Sequence, residues 1–307
     1  MSCYLGSKLA RSCTVVIVSY HTGEILLHSV QSAIQQNGVS SVVLVDNGNS
    51  SDTQCAIDLL AAQNQTLMVI RGQGNVGFAR GCNMGVVHAN TAYVLLLNPD
   101  CILHPNVVVR VFSVFEENSS AAMATVLVKN PDGSEQDECH RNLMTPWSCL
   151  VDLFKLQWLT FNYINLKQFN IKKTQRFSRV STVQCISGAF MMIPTNTYNK
   201  LGGMDEDYFL HVEDIDLCMR IAKSGRDILY VPDTFVTHIK STSRVSPFII
   251  EWYKSISAIK YFRKHFRTKH AYPILLIINV TIFIRLAARI FPIILYWINK
   301  RLLSGIR

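Results

Sequence analysis

No two cysteines in this chain stand close enough in sequence to suggest a shared task. The nine lie singly at positions 3, 13, 55, 82, 101, 139, 149, 185 and 218, and no CxxC occurs. An odd, dispersed set argues against a disulfide framework and for a reducing compartment. A structural zinc site is equally unexpected, because ligand pairs at short spacing are missing. No apolar h-region follows Lys8 and Arg11, so a secretory signal is not expected. Within the most apolar region, residues 273–298, the longest unbroken stretch is Ile274–Ile284. It falls short of the roughly 20 residues that a spanning helix needs.

Acid is scarce too, and unevenly so. From His238 to Arg307 there are 13 Lys and Arg against the single acid Glu251, so the overall charge of +9 resolves into +12 for this tail and −3 for residues 1–237. The sequence therefore divides into a mildly acidic domain, 1–240, and a basic, apolar, helical region, 241–307. Arg285 and Arg289 share one helical face, which suits a helix lying in a membrane interface; a tilted span is the alternative. The Lys260–Lys269 cluster before it suits an anionic membrane face rather than a nucleic acid, which is not expected as a partner.

Where acid does occur, it is concentrated. Six of the twelve residues from Asp205 to Asp216 are acidic, and apolar or aromatic residues interrupt them. Carboxylates packed against hydrophobes repel one another unless a cation, a bound hydroxyl or a proton relieves them. Glu213-Asp214-Ile215-Asp216 opens a predicted helix over 213–224. Acids in a first helical turn also stabilise the helix dipole, the plainer explanation of the same pattern. A carboxylate with acidic neighbours is nonetheless a fitting general base for a hydroxyl.

Short β-branched runs alternate with helical periodicity through the first hundred residues. Strands are predicted at 13–19, 41–45, 67–70 and 93–97, and helices over 24–36, 52–62 and 78–89. This alternation means an α/β domain with a largely parallel sheet, in which ligands sit at the carboxyl ends of strands. Ser19-Tyr20-His21, Asp46-Asn47 and Asn98-Pro99-Asp100 all fall at such ends and so converge on one edge. Residues 139–180 keep no clean period and read as a variable insertion. A further strand is predicted at 227–231, closed by Pro232, and His238 ends a strand-like segment.

Gly72-Gln-Gly-Asn-Val-Gly77 matches GxGxxG, yet it follows the third strand rather than the first. No acid ends a strand at the distance that dinucleotide binding requires. The glycines instead let the backbone and the Asn75 and Asn83 amides approach a nucleotide diphosphate. Asp100 lies just past a strand and is a candidate ligand for Mg²⁺ or Mn²⁺, which needs few protein ligands when phosphate and water supply the rest. An Asx turn explains Asn98-Pro99-Asp100 equally well.

Taken together, these residues resemble the family-2 inverting glycosyltransferases of the GT-A fold, in the manner of bacterial rhamnosyltransferase-type enzymes. The likeness runs from Thr14 to about His238. It rests on Val16-Ile-Val-Ser-Tyr20, Val45-Asp-Asn47, Asn75-Val-Gly77 through Arg80 to Asn83, Leu97-Asn-Pro-Asp100, Ser187-Gly-Ala-Phe190, Gly203-Met-Asp-Glu206, Glu213 to Arg220, and Val231-Pro-Asp233 with His238. The resemblance implies that Ser19, Tyr20, Asp46 and Asn47 hold base and ribose. Asn75, Gly77, Arg80 and Asn83 would line the nucleotide pocket. Asp100 stands at the last acid of the metal-binding DxD motif, Asn98 replaces its first acid, and His238 would complete the site. Asp214 matches the catalytic base, with Glu213 and Asp216 orienting its surroundings. Arg80 and His211 depart from the usual pattern.

The expected activity is transfer of a sugar, L-rhamnose from dTDP-rhamnose by the branch resembled, to a saccharide or lipid-linked acceptor at the cytoplasmic face of a bacterial inner membrane. An inactive membrane-bound scaffold would have lost its key acids, but Asp100 and Asp214 are present. A sugar-phosphate nucleotidyltransferase would carry a basic, glycine-rich signature after the first strand, where Tyr20-His21-Thr22-Gly23 stands.

Overall fold

The computed structural model describes residues 11–137, 139–153, 177–240, 246–267 and 272–304. Of the insertion expected at 139–180, the stretch 154–176 lies outside the described residues. The elements begin β1 (Cys13–Ser19), α1 (Ile25–Ile34), β2 (Val39–Asp46), α2 (Ser51–Gln63), β3 (Leu67–Ile70), α3 (Phe78–Val86) and β4 (Tyr93–Leu97). There follow β5 (Cys101–Leu103), α4 (Val107–Glu117), β6 (Ala121–Lys129), β7 (His140–Arg141) and α5 (Pro146–Leu153). Next come β8 (Ser181–Val183), β9 (Cys185–Ile186), β10 (Phe190–Pro194), α6 (Thr195–Lys200), α7 (Glu213–Lys223) and β11 (Asp227–His238). The last are α8 (Pro247–Phe266) and α9 (Tyr272–Ser304). The chain divides into two compact units, Met1–Leu143 with Asn170–Phe209 and Glu213–Arg244, and Met144–Phe169 with Leu210–Val212 and Val245–Arg307.

The first unit is built on one sheet of nine strands among the described residues, in the order β3-β2-β1-β4-β10-β6-β11-β5, with β8 also paired to β11. The pairings set β1, β2, β3, β4, β6 and β11 running one way and β5, β8 and β10 the other, so the sheet is mostly parallel. Cys13–Ser19 is buried along its whole length, as a strand covered on both faces should be. Its neighbours in register are Val43 of β2 and Leu96 of β4 beside Val16. Helix α3 approaches β1 closely because Gly81 and Gly85 lie against Val18 and Val16; a Cβ on either would come within 2.7 and 2.4 Å of those side chains.

Two local expectations change. Helix α3 stops at Val86 rather than near 89. Pro232 does not close the last strand: β11 runs on to His238, with the ladder to β6 shifting register between Val231 and Phe235. A proline cannot donate to a ladder, so the irregularity falls where its missing N–H costs nothing. The continuation matters, because it pairs His238 with Cys101 of β5.

The second unit, taken alone, packs α9 through Leu275, Ile278, Ile282 and Leu286, all buried at helical spacing. Tyr261 of α8 is buried and donates its hydroxyl to Met144 O at 2.9 Å. The other sides of α9 expose Ile274, Leu276, Ile277, Val280, Phe283 and Ile284. Among the described residues no helix is long and apolar enough to cross a membrane.

Gly77 opens α3 at φ 85° and ψ 174°, a region essentially reserved for glycine. A Cβ there would sit 2.5 Å from the Phe209 carbonyl oxygen, which already accepts from Phe78 N. Gly77→Ala should therefore lower the unfolding free energy by about 2 kcal/mol or more. Urea denaturation checks this, and an unchanged midpoint would contradict it.

Candidate active site

Strand pairing brings Asp100 and His238 together from 138 residues apart in sequence. Ile239 N donates to Asp100 O at 3.0 Å, and His238 Nε2 lies 3.1 Å from Asp100 Oδ1. With Cys101 they form a buried group whose ligand atoms all lie within 4.8 Å of one another. Gln136 controls the imidazole. Its Nε2 donates to His238 O at 2.7 Å, which turns its Oε1 to His238 Nδ1 at 3.1 Å. An amide oxygen only accepts, so Nδ1 carries a proton and Nε2 is the nitrogen turned to the carboxylate.

A proton or a cation between these two atoms satisfies both. A carboxylate oxygen and an imidazole nitrogen suit Mn²⁺ or Mg²⁺ if water and phosphate fill the remaining positions. The Cys101 thiol is pushed well up by burial and then by Asp100, so it is held as a neutral neighbour rather than a thiolate ligand. The residues present fit a hard divalent ion.

The acidic run separates into distinct environments. Asp216 is fully buried, accepts from Arg220 Nε at 2.8 Å and from Tyr208 Oη at 3.4 Å. Arg220 in turn donates to the carbonyls of Leu201 and Gly203 at 2.7 and 2.8 Å. Asp216 thus anchors the turn before α7. Asp214 is partly exposed; its Oδ2 accepts from Arg141 Nη2 at 3.0 Å and Gly188 N at 3.1 Å, and its Oδ1 from Ile215 N at 2.8 Å. Glu213 is buried, with Oε2 unbonded among the described residues. Burial, and then the Asp214 charge, push its carboxyl up to about 8. The chain enters this helix through His211 and Val212 at φ 66° and 73°, a strained entry for a β-branched residue.

Gly188 and Ala189 connect the two carboxylate sites. Gly188 N holds Asp214, and Ala189 O accepts from Asn98 N at 3.1 Å, two residues before Asp100. Beyond Asn98, the ends of β1 and β2 form a second polar corner. Asp46 Oδ1 accepts from Gly48 N, Asn49 N and Asn49 Nδ2 at 3.0, 3.0 and 2.7 Å. Asp46 Oδ2 is buried without a hydrogen bond, with Arg71 Nε 3.6 Å away. Gln73 Oε1 is likewise buried and unbonded, while its Nε2 donates to Asp46 O at 2.9 Å. Two unsatisfied acceptors in one corner fit a ligand carrying N–H or O–H donors. Ser19 Oγ accepts from Asn49 Nδ2, and Tyr20 stands edge-on to His21 with ring centroids 4.4 Å apart.

Other expected pocket residues do framework work. Asn47 Nδ2 donates to Gly77 O, and Asn75 Oδ1 accepts from Gly77 N, so both shape the glycine loop. Asn83 is fully engaged: Nδ2 donates to Met204 O and Glu206 Oε1, and Oδ1 accepts from Tyr198 Oη and Met204 N. It therefore fixes the 203–206 turn. Arg80 is exposed, with Nε 3.8 Å from Glu206 Oε2. Gln73, Gln136 and Arg141 carry site geometry that no sequence pattern marked, since each partner is set by long-range pairing.

Glu213 gives a signed pH prediction. A carboxyl whose native value lies above the usual 4.5 favours the fold while protonated, and that stability is lost as pH rises from there through about 8. Glu213→Gln should gain stability relative to the parent across this interval, by at most about 1.4 kcal/mol per pH unit. Denaturant melts at several pH values check it; a constant difference would contradict it.

The model of the "Glycosyltransferase like family 2" family matches residues 10–257. Rhamnosyltransferase WbbL of Escherichia coli is 25% identical over 172 residues, which cover 54% of this chain and 61% of that protein's length. N-acetylglucosaminyl-diphospho-decaprenol L-rhamnosyltransferase of Mycobacterium tuberculosis is 24% identical over 249 residues, covering 75% of this chain and 76% of that one. Among solved structures, GalNAc-T7 with UDP, GalNAc and Mn²⁺ superposes with a TM-score of 0.60 at 14% identity, over 82% of this chain and 47% of that chain. The mannosyltransferase PcManGT of Pyrobaculum calidifontis, in complex with GDP-Man and Mn²⁺, gives 0.55 at 14% identity, over 95% and 80%. These likenesses show the fold, a GT-A-like α/β arrangement, and the family match covers most of the sequence. The chain belongs to glycosyltransferase-like family 2.

Proposed function

We propose that this chain is an inverting, metal-dependent sugar transferase that moves a hexosyl unit from a nucleotide-sugar donor to a saccharide or lipid-linked acceptor in cell-surface polysaccharide synthesis. The relatives named as rhamnosyltransferases favour dTDP-L-rhamnose as the donor to try first. One observation carries the reading: Gly188 and Ala189 join the Asp214 carboxylate to the Asp100 and His238 corner through consecutive backbone groups. A base and an anion-neutralising site belong side by side when a hydroxyl attacks and a diphosphate departs.

In this reading Asp214 takes the acceptor hydroxyl's proton as the oxygen attacks the anomeric carbon. Asp100 and His238 would hold Mg²⁺ or Mn²⁺, which offsets charge on the departing diphosphate when bound. Asp46 Oδ2 and Gln73 Oε1 accept from base or ribose donors, and Tyr20 borders the base. Asn98 lies between the two sites, and Arg80 with Glu206 stands at the rim. Asp216 acts on the site by anchoring α7.

The exposed apolar side of α9, with Arg285 on it and a basic last turn of α8, fits an anionic lipid surface such as the cytoplasmic face of a bacterial inner membrane. Lipid-linked acceptors are presented there.

Asp214→Asn should lower transfer at least about a hundredfold while leaving donor affinity within twofold. Turnover assays beside calorimetric donor titration check this; normal turnover would remove the base assignment. EDTA should abolish activity and Mn²⁺ restore it. Asp100→Asn should weaken Mn²⁺ binding, read by electron paramagnetic resonance of free Mn²⁺; insensitivity to both would remove the metal from the reading. The protein should sediment with vesicles containing phosphatidylglycerol more than with phosphatidylcholine alone, and less so at high salt; equal binding would contradict the anionic surface.

A further inference from the structure

We infer that Arg141 is a positioning residue for the reaction, placed by a two-stranded ribbon to hold the Asp214 carboxylate in one orientation. The inference rests on the reading of Asp214 as the base. Among the described residues, strands β7 and β9 pair only with each other, through His140 with Ile186 and Arg141 with Cys185. That ribbon delivers Arg141, only slightly exposed, to the start of α7. There its Nη2 reaches Asp214 Oδ2 at 3.0 Å and Ile186 O at 3.4 Å.

The surroundings of Asp214 explain why a cation belongs there. Glu213 precedes it on α7, buried and pressed toward its neutral form. Cys218 on α7 and Cys185 on β9 lie close enough to interact, and the Cys218 thiol is raised by burial, then by Cys185, and also by the Asp214 charge. Arg141 offsets the Asp214 charge, and Gly188 N on the same oxygen fixes the carboxylate's orientation.

The test compares kcat and donor KM for the full chain and for Arg141→Gln, Arg141→Lys and Asp214→Asn, with thermal melts of each. Arg141→Gln should lower kcat about tenfold or more. Donor KM should change little. Arg141→Lys keeps the charge without the planar fork, so it should recover only part of the lost kcat. A folded Arg141→Gln protein with unchanged kcat, alongside an inactive Asp214→Asn, overturns the inference and spares the base. An active Asp214→Asn overturns the base reading and the inference with it. Should Arg141→Gln fail to fold, Arg141→Lys decides: a lowered melting temperature with unchanged kcat means a structural role only.

Discussion

Carboxylates crowded into an apolar setting must each find a cation, a donor or a proton, and the architecture around α7 is shaped by that demand. Asp216 is answered by Arg220 one turn along, which also gathers the carbonyls of Leu201 and Gly203. Asp214 is answered by Arg141 and by Gly188 N. Glu213 has its Oε2 unbonded among the described residues and is pushed toward its protonated form by burial and then by the Asp214 charge. Removing one partner of a buried pair costs far more than the pair contributes, so these residues fix one arrangement of the segment. What remains for chemistry is the carboxylate that keeps some exposure.

The same logic operates across the sheet. Asp100 and His238 face each other, with Gln136 holding the imidazole so that Nε2 stays turned to the carboxylate. At the β2 end, Asp46 Oδ2 and Gln73 Oε1 are buried acceptors without hydrogen bonds. The Asp46 and Gln73 corner, the Asp100 and His238 pair and the Asp214 carboxylate are the three places to which we assign the nucleotide-sugar donor, the divalent ion and the acceptor hydroxyl.

Much of this was legible in the residues themselves. The strands Cys13–Ser19, Leu67–Ile70 and Tyr93–Leu97 carry unbroken apolar or β-branched runs, and local pattern suffices for them. Ala121–Lys129 was not, because its alanines and methionine have no distinctive period and its place comes from pairing with β11 and β10. Asp100, His238 and Asp214 announced themselves by type and position after strands or at a helix start. Gln136 and Arg141 did not: an isolated glutamine or arginine in an irregular stretch has no local signature, and their roles depend on contacts 102 and 73 residues away. The partners of Asn83 were hidden for the same reason. Its position in the glycine-loop helix suggested a ligand contact, while the chain beyond Tyr198 folds back to use both ends of its amide.

The most direct measurement is release of nucleoside diphosphate from a panel of nucleotide sugars, dTDP-L-rhamnose first, by the purified chain with Mn²⁺ and a bacterial membrane extract as acceptor. Acceptor-dependent release from at least one donor, with radiolabelled sugar passing into the lipid or polysaccharide fraction, is the predicted result. No release above the blank from any donor, under conditions in which the protein is folded and the extract supports a known transferase, would contradict the account.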